Sequence, residues 1–250
     1  MRGKIYLILF AACFLSAKLF GQAADQFETI SFTGKDGIKI SADIYPNEDK
    51  STPVFLLFHQ YRSSRGEYRD IAPILNDMGF NAIAFDTRAG GTDRWNNVEN
   101  LTSINNEDIP IDYYPEVYPD LEAALQYVID EGYTGKIIVW GSSFSATLVL
   151  KLAGDHPDKI SAILSFSPGE YVRSNNKVVS EWASKVKEIP VFVTCGAQEQ
   201  DKAKPIYDAI PGDLKRFYLP NNGNHGSSIL IDDARNWQPV KEFISKVVSE

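Results

Sequence analysis

The 250-residue chain has only two cysteines and three histidines. So few thiols exclude a disulfide scaffold, and its stability must come from a buried core. His59, His156 and His225 are scattered and lack neighbouring cysteines, so no metal-ligand spacing is present. No Gly-rich phosphate loop follows a strand-like run; Gly90-Gly91 lies in a polar stretch without the Lys-Ser/Thr context. Bases are in the minority, 25 Lys and Arg against 33 Asp and Glu, for a net charge of −8. That balance repels phosphate backbones and argues against nucleic acid as a partner. Repeats and low-complexity tracts are absent, and the length suits one domain with a large core.

The N-terminus is different in kind. Arg2 and Lys4 precede an apolar stretch over residues 5–17, and small residues follow at Gly21, Ala23 and Ala24. This order is that of a secretory signal peptide. The stretch is short for a membrane span and is interrupted by Lys18. Cleavage after Ala23 is expected, which leaves a domain over residues 24–250, no stable membrane span, and Cys195 as its one cysteine. The mature domain would be three charges more acidic, and the protein secreted or periplasmic. The alternatives are an uncleaved anchor or a lipoprotein modified at Cys13.

Beyond the signal, two kinds of pattern alternate. Residues 27–33 and 38–45 alternate with a period near two around Lys35-Asp36-Gly37, predicting an antiparallel hairpin. Runs at 54–58, 82–85, 137–140, 160–166, 191–195 and 217–219 are almost wholly apolar. Strands buried between two helical layers have that composition. Helices are predicted after a capping-box pattern at Ser64 and Glu67, running to about Met78, and from Pro119 and Asp120 to Gly132. Others are expected after Ser143, over 202–209 and over 232–248. A hairpin followed by strand–helix units predicts an α/β protein with a mostly parallel central sheet covered by helices on both faces. One polar, Asn-rich connection, 87–118, breaks the rhythm; it carries the glycosylation sequon Asn100-Leu101-Thr102 and several aromatics.

The sharpest motif is Trp140-Gly141-Ser142-Ser143-Phe144-Ser145-Ala146, between a strand-like run and a helix of small residues. A tight strand-to-helix turn of this kind presents a serine hydroxyl above a sheet edge, and small residues are needed on both sides of it. Ser143 is therefore the candidate nucleophile. A hydroxyl needs a base. His156 stands in a helix-ending context, and His59 directly follows a strand, where a buried hydrogen-bonding role is expected. His225 lies in Asn221-Asn222-Gly223-Asn224-His225-Gly226, between the last strand and the last helix, and is the candidate base. An acid to hold the imidazole should follow the run 191–195; Glu199 is favoured there and Asp201 is the alternative.

The order Ser143, Glu199, His225, with each residue at the carboxyl end of a predicted strand, resembles the α/β-hydrolase superfamily, nearest its dienelactone-hydrolase-like and small-carboxylesterase branch. The resemblance covers about residues 27–248. It implies the α/β-hydrolase fold, a serine–histidine–acid triad, no cofactor, and a small-molecule ester as substrate. Backbone N–H groups of Phe144 and of Gln60 or Tyr61 would form the oxyanion hole; many relatives have His-Gly where this chain has His59-Gln60. Trp95, Tyr113, Tyr114, Tyr171 and Trp182 are candidates to wall the pocket. A peptide or lactone substrate, or a non-catalytic binding protein on the same fold, are the competing readings.

Overall fold

The computed structural model describes residues 27–47, 49–106, 114–171 and 178–249. The signal-peptide residues, Cys13 and Tyr113 lie outside them. Among the described residues, eight strands form one sheet: β1 (Glu28–Thr33), β2 (Lys39–Tyr45), β3 (Val54–Phe58), β4 (Asn81–Phe85), β5 (Ile137–Ser142), β6 (Ala162–Phe166), β7 (Val191–Thr194) and β8 (Lys215–Tyr218). Their order is β1-β2-β4-β3-β5-β6-β7-β8. β2 runs antiparallel to both β1 and β4, and every other pairing is parallel.

The helices are α1 (Ala72–Asp77), α2 (Leu101–Ile104), α3 (Tyr114–Asp130), α4 (Phe144–Asp155), α5 (Val178–Ala183), α6 (Gln200–Ala209), α7 (Ile229–Asp232) and α8 (Trp237–Ser249). Two cores show why the central strands are apolar throughout. In β3, Val54, Leu56 and Phe58 face the core that holds the apolar sides of α3, α4, α5 and α6. The alternate residues Phe55 and Leu57 face the second core, with Leu75 of α1 and Val240, Phe243 and Ile244 of α8. The period-two pleat sends neighbours to opposite faces, so a sheet covered twice needs apolar residues at every position.

Three helices depart from expectation. The helix expected from Ser64 to Met78 is a 3-10 turn, Arg65–Tyr68, followed by the short α1 with Pro73 in its first turn. Pro73 has no N–H and its ring clashes with the carbonyl four residues back, so a continuous helix is blocked and a new one begins. The capping box is not formed: Ser64 Oγ accepts from Gly66 N at 3.1 Å, while Glu67 turns inward to Gln60 N at 2.8 Å. α3 begins at Tyr114, so Pro119 is internal, and Asp120 accepts from Arg88 through its backbone N at 2.7 Å and Nε at 2.9 Å. The C-terminal helix is divided at Asp233, whose extended backbone and side chain cap a 3-10 turn, Ala234–Asn236, ahead of α8. Asn100, the sequon asparagine, is 4% exposed; its amide donates to Ser63 O and Thr87 O, and its oxygen caps α2. An asparagine bound in this way is not open to a glycan.

Candidate active site

Parallel strands place their carboxyl ends, and the turns that follow, on one rim of the sheet, and the candidate residues meet there. Ser143 stands between β5 and α4 with φ 55° and ψ −115°, a conformation that L residues rarely adopt. Its N–H donates to Phe166 O at 2.7 Å. The turn depends on Gly141, where a Cβ would overlap the Ser145 carbonyl and lie 2.6 Å from Ala146 N. The Ser145 hydroxyl is used as well: Oγ donates to His59 O at 2.6 Å, tying α4 to the end of β3.

His225 Nε2 lies 2.6 Å from Ser143 Oγ, and Nδ1 lies 2.5 Å from Glu199 Oε1. A carboxylate only accepts, so Nδ1 carries the proton and Nε2 is left to receive the serine hydroxyl. Burial would raise the Glu199 pKa, but hydrogen bonds from His225 and Ser167 outweigh it and hold the carboxyl below the ordinary value. Asp201, the alternative acid, is exposed in the first turn of α6. Glu199 is the carboxylate that the fold brings to the imidazole. Gly226, directly after His225, has φ 61°, and a side chain there would overlap Ser142 Oγ, so the loop can close only on glycine.

The expected oxyanion donors need one correction. The Gln60 N–H donates to Glu67 Oε2 at 2.8 Å and is therefore committed inside the protein. The Phe144 ring lies 5.9 Å from that of Tyr61, so the two turns face one another. The Phe144 N–H is the first of α4, where helix N–H groups have no intrahelical acceptor and the helix dipole favours negative charge.

The other histidines are elsewhere in use. His59 Nδ1 donates to Gln60 O at 2.7 Å, and Nε2 accepts from Thr87 N at 2.9 Å. Burial pushes its pKa down to about 4, so the ring is a neutral brace for the turn after β3. His156 is half-buried, 3.4 Å from Glu122. Among the described residues, no group of three or more His, Cys, Asp and Glu side chains is arranged to hold a metal ion.

Of the pocket candidates, Tyr171 reaches the site: its hydroxyl donates to Ser167 O at 3.0 Å and comes within hydrogen-bonding reach of Ser143. Burial, with the charge of Glu199 nearby, pushes its pKa up to about 12, so it is a neutral donor. Trp182 is buried beneath α4, its ring 5.9 Å from Lys151 Nζ, about 12 Å of helix rise beyond Ser143. Trp95 opens a 3-10 turn, Trp95–Asn97, whose backbone covers Gly66. Neither tryptophan is where a pocket wall was expected. Tyr114 opens α3.

Two site residues escaped the sequence reading. Glu67 passed as a capping residue, and Ser167 was not singled out. The signals that could have found them were a carboxylate soon after a core strand and a hydroxyl directly beyond one.

The family model described as serine aminopeptidase, S33, matches residues 49–209, more than half of the chain. The chain belongs to that family. No curated protein matches the sequence. Similar solved structures include Est1E from Butyrivibrio proteoclasticus with ferulic acid bound, at 15% identity and TM-score 0.70, covering 88% of this chain and 100% of that one. A dienelactone hydrolase from Anabaena variabilis has 16% identity and TM-score 0.66, with 88% and 98% covered. A thermostable carboxyl esterase from Bacillus coagulans, complexed with glycerol, has 14% identity and TM-score 0.69, with 90% and 100% covered. At such identities the likeness establishes the shared fold, and the fold is that of the α/β-hydrolases.

Proposed function

We propose that this protein is a serine hydrolase of carboxylic esters. The observation that carries the reading is the unbroken hydrogen-bond chain from Ser143 through His225 to Glu199. As an ester carbonyl approaches, His225 Nε2 takes the hydroxyl proton and Ser143 Oγ attacks the carbonyl carbon. Glu199 holds the ring in the reactive tautomer and stabilises the imidazolium that forms. The oxyanion falls between the Tyr61 and Phe144 N–H groups, and each such donor is worth roughly 3–4 kcal/mol in comparable sites. Collapse of the tetrahedral intermediate passes the proton to the departing alkoxide and leaves an acyl-serine. A water, deprotonated by the same imidazole, then releases the acid and restores the serine. None of these steps calls for a metal or an organic cofactor.

The test compares wild type and Ser143→Ala on short- and long-chain p-nitrophenyl esters, with labelling by a fluorophosphonate in parallel. Wild-type turnover and labelling, both abolished in the variant, are expected. Equal rates in the two proteins would refute the assignment, and a wild type that neither turns over nor labels would favour a binding protein. The family's aminopeptidase description favours a second reading, hydrolysis of a peptide bond from a free amino terminus. Cleavage of aminoacyl p-nitroanilides without ester turnover would select it. We also propose export by the N-terminal segment with removal of residues 1–23, which N-terminal sequencing of the mature protein would check.

A further inference from the structure

Ser167 is the first residue beyond β6, the strand between the nucleophile strand β5 and the acid strand β7. It is fully buried, and its φ is 57°. Glycine is the residue expected in that conformation, because a Cβ there crowds the backbone; among other residues, Asn, Asp and His tolerate it best. A serine held so needs a reason, and its contacts supply one. Ser167 Oγ donates to Glu199 Oε2 at 2.8 Å, the carboxylate oxygen that His225 does not use. The same hydroxyl oxygen accepts from Gly226 N at 2.8 Å, from the residue directly after the candidate base. The Ser167 N–H donates to Thr194 O at 2.7 Å at the end of β7, and its carbonyl accepts from Tyr171.

We propose that Ser167 is a positioning residue, whose hydroxyl locks the Glu199 carboxylate to the His225 loop so that the imidazole stays aimed at Ser143. The proposal rests on the esterase reading of the site. Glu199 hangs from a 3-10 turn and His225 from a loop, and neither element alone restrains a side chain. The left-handed backbone at Ser167 turns its hydroxyl sideways from the strand end, to the one place between both groups. With Oγ removed, Glu199 keeps only a 3.3 Å contact from Gly196 N on that oxygen, and the Gly226 amide loses its acceptor. The ring can then swing away from the nucleophile without any change in substrate binding.

Ser167→Gly separates this role from simple structural support, because glycine relieves the backbone while deleting the hydroxyl. The expected result is a kcat lower by about tenfold to a hundredfold, by analogy with the loss seen when the hydrogen-bond partners of metal-binding histidines are removed. KM should stay within twofold, fluorophosphonate labelling should slow with kcat, and the melting temperature should remain within about 4 °C of wild type. Ser167→Ala deletes the hydroxyl but keeps the Cβ, and should show the same kcat loss even if the glycine variant folds poorly. An unchanged kcat in either folded variant overturns the inference, as does a loss that appears in KM instead. Active wild type beside unimpaired Ser167→Gly defeats this inference alone, whereas wild type inert to esters and phosphonate defeats the reading beneath it as well.

Discussion

Replacement of Glu67 by glutamine should change how stability depends on pH, in a direction the structure dictates. Glu67 is 1% exposed and lies behind the site. It accepts from Gln60 N and meets the Ser142 hydroxyl, the Ser227 N–H and the field of His225. Burial dominates these and pushes its pKa up to about 7 from an ordinary 4.5. Between those two values the native protein holds a proton that the unfolded chain has already released. Stability therefore falls as pH rises through the window, and the full penalty stands above about 7. At 1.36 kcal/mol per tenfold change in proton affinity, the gap amounts to about 3 kcal/mol. In the Glu67→Gln variant the side chain keeps an oxygen for the Gln60 amide but has no proton to lose, so its penalty is independent of pH. Urea unfolding of both proteins from about pH 4 to about pH 8 tests this. Other titrating groups, such as Asp86 (pushed up to about 6 by burial) and His59, are common to both and cancel in the difference. The variant should gain about 3 kcal/mol on wild type across the range. Parallel stability curves would refute the reasoning, since a carboxyl that titrates alike in both states contributes no slope.

Two other outcomes are expected. Glu199→Gln should lower kcat by about a thousandfold to ten-thousandfold, because an amide favours the wrong imidazole tautomer, while Asp201→Asn should match wild type in the same assay. Equal losses in both would show that the acid has been misassigned. Arg88→Met should cost about 3–5 kcal/mol in urea unfolding, since it strands Asp120, which is 1% exposed and takes hydrogen bonds from the Arg88 backbone and guanidinium. Adding Asp120→Leu should recover part of that loss, and a single variant of unchanged stability would contradict it.

Features set by neighbouring residues were legible before any coordinates. The apolar runs at 54–58 and 137–140 announced strands covered on both faces, and Gly141, two residues before Ser143, announced a tight turn. Helix boundaries were less legible where a distant partner claimed a capping group. Glu67 matched a capping box by spacing but serves Gln60, and Asp120 serves Arg88 instead of opening a helix. A local pattern carries no record of a competing partner elsewhere in the fold.

The chain order of serine, acid and histidine, and the residue types at each, are properties of the sequence alone, because strand, turn and helix propensities act over a few residues. Which carboxylate meets the imidazole, which backbone N–H is already spent, and why a serine occupies a left-handed position at 167 were decided by the tertiary structure. Those choices depend on distances across 26 and more residues of chain, between Glu199 and His225 or between Ser167 and Gly226, and only packing of the sheet's strands brings such groups within hydrogen-bond reach.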